Sequence, residues 1–209
     1  MAGLLLALLV STLPATSLQP LNLQDLAGLS PRIFEGTCLS SSQGVDRRGL
    51  PFTAYTFRVT DAIQGASNGQ TVTIRQFGLR DVSQDRFGGL VLTVPDMPHY
   101  LHGRRYLLFL PPQSRWGFSS PVGLLQGAFR ILGEGEQRRA INGVGNLNLA
   151  LDTSQSVNQR LAARRAGRAP SPVEGPVSYA ALRSTVVQIL NGRRMTARQL
   201  AQGLKGGSQ

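Results

Sequence analysis

Apolar and polar side chains alternate most cleanly over residues 52–64. Tyr55, Phe57, Val59 and Ile63 share one parity, and Thr56, Arg58 and Thr60 share the other. A period of two sends successive side chains to opposite faces, so this stretch predicts a half-buried strand whose apolar face Asp61 interrupts near its end. The turn signal Asn68-Gly69 and a second alternating run over 71–77 complete a hairpin. Residues 105–110 are apolar on both parities, which predicts a central strand covered on both sides or one lining a closed barrel. Shorter β patterns are predicted over 32–41, 90–94, 122–125, 127–132 and 138–142, with a bulge or bend at Gln126-Gly127. Ser40-Ser41-Ser42-Gln43-Gly44 through Gly49-Leu50-Pro51 predicts a polar hairpin loop.

Helical patterns flank this β region. Asn22 is placed to cap a short helix, with Asp25 favourably in its first turn, Leu23, Leu26 and Ala27 facing inward and Gly28 at its end. Ser178 is placed to cap a helix whose stripe is Tyr179, Leu182, Val186, Ile189 and Leu190, ended by Asn191-Gly192. Beyond Arg193 the basic, Gly-rich end predicts a loose tail.

The first residues carry a different signal. Residues 4–10 are an unbroken apolar run, followed by Pro14 and the small side chains of Ala15-Thr16-Ser17. A run this short cannot span a bilayer as a helix, which takes about 20 residues. It fits the h-region of a signal peptide over 1–17, with cleavage before Leu18 and the α-amine as the only n-region charge. A lipoprotein anchor does not fit, because Cys38 lies far beyond the cleavage site. The expected product is extracytoplasmic, periplasmic or secreted. A single cysteine excludes an internal disulfide framework, so stability rests on the core.

Charge sharpens the division of the chain. Net charge is +11, and residues 153–209 hold nine basic side chains against Glu174 alone. The division is therefore signal peptide 1–17, β-barrel domain 18–151, basic linker 152–177, and C-terminal helix with basic tail 178–209. Arg160, Arg164, Arg165 and Arg168 have helical spacing and would form a basic face able to touch an anionic surface weakly. The tail lacks the aromatics of a single-stranded nucleic-acid platform, and no nucleic-acid partner is expected.

The order of motifs suggests a family. A short helix, Ile33-Phe34-Glu35-Gly36, Tyr55-Thr56-Phe57-Arg58-Val59, Ile63-Gln64-Gly65 and Gly103-Arg104-Arg105-Tyr106-Leu107-Leu108 together resemble the netrin-module and tissue-inhibitor-of-metalloproteinase type of OB barrel. Arg115-Trp116-Gly117 with Ser120-Pro121-Val122-Gly123 is similar to uncharacterised bacterial exported proteins of that pattern. The resemblance covers roughly 30–132. It implies a mainly β fold, a small five- to seven-stranded OB-like barrel with a short N-terminal and a C-terminal helix. Inhibitors of that fold chelate zinc through an N-terminal cysteine, which has no counterpart here, so no inhibitory residue carries over.

Candidate chemistry is sparse. Cys38 with His99 or His102 has the residue types of a thiol nucleophile and base, and equally fits a small buried hydrophobe with two loop histidines. Asp96, His99 and His102 lie close enough in sequence to suggest a metal, without the further ligands that zinc sites draw from a scaffold. No nucleophile elbow, P-loop or Gly-x-Gly-x-x-Gly cradle occurs. Arg115, Trp116 and Phe118 form an aromatic and cationic loop between Pro112 and Pro121. They are the expected binding residues, the alternative being that Trp116 caps the barrel bottom. The reading is an exported, non-catalytic interaction module without cofactor, recognising another extracytoplasmic protein through loops 43–51, 95–103 and 112–121. The alternatives are an inhibitor or accessory partner of an exported protease, and a metal-binding or thiol-dependent enzyme.

Overall fold

In the computed structural model the described residues are 19–80, 93–167 and 172–205. Helix α1 (Leu23–Gly28) leads into the strands β1 (Arg32–Val45), β2 (Pro51–Gln64), β3 (Thr71–Phe77), β4 (Arg105–Leu110), β5 (Ala128–Leu132) and β6 (Arg139–Asn142). Helix α2 (Val157–Arg165), the short strand β7 (Val177–Ser178), helix α3 (Tyr179–Leu190) and helix α4 (Ala197–Lys205) follow. The molecule is mainly β. Its strands form one antiparallel sheet of seven in the order β3-β2-β1-β4-β5-β6-β7. Among the described residues β3 and β7 each have a single neighbour, so hydrogen bonding leaves the sheet open rather than closing it into a barrel.

At β4 both faces of the sheet are covered, which is why that strand is apolar on both parities. Leu107 and Phe109 join Ile33, Phe129 and the helical residues Leu23, Leu26, Leu182, Val186, Leu200 and Leu204 in one core. Leu108 and Tyr106 join Phe34, Tyr55, Phe57, Val59, Ile74 and the loop residue Tyr100 in the other. Helix α1 is closed by a reciprocal capping box, in which the Asn22 side chain accepts from the Asp25 amide and the Asp25 carboxylate accepts from the Asn22 amide. Gln126, buried at the end of a single 3-10 turn (Leu124–Gln126), pins the entering chain. Its Oε1 accepts from the Leu21 amide at 2.8 Å and its Nε2 donates to the Gln19 carbonyl at 3.0 Å.

Several sequence expectations need correction. The Ser40–Gly44 stretch is strand, not loop, because β1 pairs with β2 out to Val45↔Pro51. Only residues 46–50 turn, closed by the Asp46 Oδ1, which accepts from the amides of Arg48 at 2.8 Å and Leu50 at 3.0 Å. The serines are exposed and can be polar because this arm reaches past the end of β4, whose pairing with β1 stops at Thr37↔Arg105. Ile63 does not share a face with Phe57. Register shifts at Glu35/Gly36 and Ile33/Phe34 leave Thr60 and Ile63 as extra residues on β2, and Ile63 packs on the helix-side core while Ala62 packs on the opposite one.

Residues 90–92 of the strand predicted over 90–94 lie outside the described residues, and Thr93 and Val94 are not strand. Residues 122–125 are not strand either, since the chain there enters the 3-10 turn. At Gly127 a Cβ would collide with the Val122 carbonyl, so the bend expected at Gln126-Gly127 is a place where only glycine fits. The described part of the tail beyond Arg193, up to Lys205, is not loose, since α4 buries Leu200, Ala201 and Leu204. Full burial stabilises the docked helix by about 2 kcal/mol per leucine, and their spacing of four residues aligns them on one helical face. Of the expected basic face, Arg168 and the side chain of Arg164 lie outside the described residues, and the guanidinium of Arg160 bonds the carbonyls of Asp152 and Gln155. Among the described residues no helix is long and apolar enough to cross a membrane. The signal-peptide segment 1–17 lies outside the described residues.

Candidate binding surface

The tip of the β1–β2 arm, the outer face of β3 and the loop after β4 meet at one end of the sheet. The loop residues Ser114 to Phe118 form a closed turn. The Gly117 amide donates to the Ser114 carbonyl and the Ser114 amide to the Phe118 carbonyl, both at 2.8 Å. The Phe118 amide donates to Ser114 Oγ at 3.0 Å. Gly117 adopts φ +78°, a left-handed conformation that a side chain would resist. The Ser119 amide donates to the Arg75 carbonyl at 2.8 Å and ties the turn to the edge strand β3. Trp116 stands at the apex of this fixed turn and keeps 45% of its surface exposed. The Arg115 guanidinium stacks 4.7 Å from the centre of its ring.

Phe118 behaves differently from its neighbours. It is half-buried and meets Phe77 edge-on at 5.6 Å. It also forms one wall of a stack in which the Arg75 guanidinium lies 4.0 Å over Phe52 and 5.4 Å from Phe118. Diagonal pairing explains the approach, because Phe52 faces Phe77 across the ladder and Arg75 lies two residues further along β3. Arg75 Nε is buried and makes no hydrogen bond. Val45, Asp46, Arg47, Arg48, Arg75 and Trp116 together line a pocket of about 420 Å³. The Leu50 amide, outweighing the effect of burial and helped by the Arg48 amide and the charges of Arg48 and Arg75, holds the Asp46 carboxyl below its ordinary range.

The structure thus brings together loops 43–51 and 112–121, with Arg115 and Trp116 outward and Phe118 in support. Loop 95–103 does not line this pocket. It lies over the Tyr55 side of the sheet, where Tyr100 packs edge-on at 4.8 Å from Tyr55. His99 Nδ1 is 3.3 Å from the Tyr55 hydroxyl. Burial and the charge of Arg80 hold its imidazole below the usual histidine value. Cys38 is buried, its Sγ directed at the Ser40 carbonyl at 3.7 Å, and burial pushes its thiol up. His102 is exposed in a turn, and Asp96 takes φ +60° in another. Among the described residues no three of His, Cys, Asp and Glu converge as a metal site.

Sequence reasoning missed a charge network on the helix side. Glu35 on β1 is fully buried, with Oε2 at 2.6 Å from Arg138 and Oε1 at 3.8 Å from Arg105. Asp61 on β2 accepts from the Tyr179 hydroxyl at 2.8 Å and from Arg183 Nε and Nη2 at 2.7 and 3.0 Å. The Arg138 guanidinium lies 4.3 Å over the Tyr179 ring and joins the two halves. The network borders a groove of about 1110 Å³ between α3 and the sheet. Each cation here already has a carboxylate, so the arrangement clamps α3 down.

Burial alone would push the Asp61 carboxyl up, but the bonds from Arg183 and Tyr179 and the charges of Arg183 and Arg138 outweigh it and hold it below its ordinary value. A carboxylate lowered in the folded state contributes stability above its unfolded pKa of about 3.9 and loses it as pH falls through the lower folded value. Asp61→Asn is therefore expected to cost roughly 1 kcal/mol near neutrality, since the pair is partly exposed. Most of that difference should vanish in strong acid, which urea unfolding midpoints at the two pH values would measure.

Compared with known proteins, the chain matches no family model, no curated protein and no solved structure.

Proposed function

We propose that this chain is an exported, non-catalytic binding module that recognises another extracytoplasmic protein through the face centred on Arg115 and Trp116, with Phe118 as its support. The observation that carries the reading is the exposed Trp116 on a rigid turn, stacked by Arg115 beside the Arg75 guanidinium. Tryptophan and arginine presented together are the residue types that dominate interface energetics. A stacked guanidinium gives up less conformational freedom on contact than a free one. The thiol and the His99 imidazole fit structural roles, Cys38 as a core side chain and His99 as a partner of Tyr55.

Export and the OB-like description belong to the same proposal. Cleavage before Leu18 would leave a mature chain whose first segment Gln126 already holds. An OB fold is a five-stranded, partly open barrel. The bulged β1–β2 hairpin with β3, β4 and β5 on its two sides supports that description.

The test compares extracytoplasmic proteins captured by the mature chain and by two variants at similarly exposed sites, Trp116 at 45% and Leu161 on α2 at 47%. Trp116→Ala should lose the specific partner at least about tenfold, the loss of one hot-spot residue. Leu161→Ala should keep it. A partner retained by Trp116→Ala would refute the reading.

A further inference from the structure

We infer that the pocket between Trp116 and the β1–β2 turn takes an acidic peptide segment, with carboxylates beside an apolar side chain. This rests on the binding-module reading and adds the chemistry of the partner. The cluster holds Arg47, Arg48, Arg75 and Arg115 against one carboxylate, that of Asp46. Asp46 is already engaged by the amides of Arg48 and Leu50. Elsewhere the carboxylates consume their cations, buried Glu35 taking Arg138 and Arg105, and half-buried Asp61 taking Arg183. Among the described residues the positive charge here is in excess. Arg47, Arg75 and Arg115 form no ion pair with any described residue, and Arg48 reaches Asp46 only at 3.9 Å.

Geometry selects the class of anion. Arg75 has its guanidinium 4.0 Å from the centre of Phe52 and 5.4 Å from that of Phe118, and a guanidinium packed against two rings loses little further freedom on bidentate capture of a planar carboxylate. Val45, 37% exposed, and Trp116 supply apolar wall on the same pocket. A bare anion has no use for those walls. At about 420 Å³ the pocket lies within the size range of ligand clefts. A flat membrane would meet a partly buried Arg75, whereas a chain alternating acidic and apolar side chains can offer both groups.

The chain supplies its own reporter, because Trp116 is its only tryptophan. The full mature protein is titrated with a short acetylated Glu/Leu peptide, its Gln/Leu counterpart, inorganic phosphate, and vesicles of equal parts phosphatidylglycerol and phosphatidylcholine. The expected result is a saturable change in Trp116 emission with the acidic peptide alone, weakening as salt rises from about 0.05 to about 0.5 M. Arg75→Met should weaken it at least about tenfold, the effect of losing a charge-assisted bidentate contact. Should Arg75→Met disturb the stack, the exposed double variant Arg47→Gln/Arg48→Gln, which leaves the stack untouched, should still weaken it severalfold.

Equal binding of the Gln/Leu peptide overturns the inference. So does a response to vesicles or phosphate in place of the acidic peptide, or silence toward every probe. In each of these cases a partner still lost by Trp116→Ala would leave the interaction surface standing and only its chemistry wrong.

Discussion

Replacing Arg138 by Met is expected to lower the stability of the folded protein by about 3 kcal/mol, the low end for stranding one member of a buried ion pair. Arg138 is 29% exposed, but its partner Glu35 is fully buried, so the cost is set by the carboxylate left behind. Arg105 stands 3.8 Å from the other oxygen of Glu35, too far for a hydrogen bond, and moderates the penalty without removing it. The Tyr179 ring loses the cation stacked on it as well, loosening the contact through which α3 meets the sheet. Two comparisons separate this mechanism from simple loss of side-chain packing. Arg130→Met, at an exposed position on β5, should stay within about 0.5 kcal/mol of wild type. The double variant Glu35→Met/Arg138→Met should recover much of the loss, because no buried charge remains unpaired. Urea unfolding followed by far-ultraviolet dichroism measures all three. An Arg138→Met midpoint indistinguishable from wild type would show that Arg105 or water, not Arg138, compensates Glu35.

That network also marks where sequence reading stops. Elements set by neighbours in the chain were legible: the Asn22 cap, the alternation through Phe57 and the doubly apolar β4 all formed as their local patterns require. What depends on a distant partner was not. The face of Ile63 was misjudged because the extra residues Thr60 and Ile63 arise from register against β1, and nothing within β2 announces them. Glu35 offered a signal, a lone acid between Ile33, Phe34 and Gly36, but twenty-one arginines could have answered it. Helix α4 carried Leu200, Ala201 and Leu204 on one face, a pattern outweighed by the basic residues around it. At the candidate site, Arg115 and Trp116 were readable as an aromatic and cationic loop. Arg75 was not, because its stack is assembled by cross-strand pairing with Phe52 and by the return of the loop that carries Phe118.

Truncating Phe57 to Ala is expected to be the most damaging single change in the sheet, at about 3–5 kcal/mol. The ring is fully buried and is met edge-on by three others, Tyr100 at 5.1 Å, Phe34 at 6.3 Å and Tyr106 at 6.4 Å. Edge-to-face pairs add roughly 0.5–1.5 kcal/mol beyond the area they bury, so the loss exceeds that of an isolated phenylalanine. The site also has little freedom to collapse. Phe34, Phe57 and Tyr106 are fixed to adjacent hydrogen-bonded strands, and only Tyr100, on loop 95–103, is free to move into the space. Movement of Tyr100 would withdraw the loop from Tyr55 and break the contact between His99 and the Tyr55 hydroxyl. Phe57→Leu keeps most of the volume and should cost no more than about 1.5 kcal/mol, as near-conserved core volumes do. Urea midpoints rank the two variants, and near-ultraviolet dichroism of the tyrosines reports the loop. A Phe57→Ala protein within 1 kcal/mol of wild type, or roughly the cost of one methylene, would mean that the Tyr100 loop fills the cavity at little cost. The aromatic cluster would then not be the element that holds this face of the sheet together.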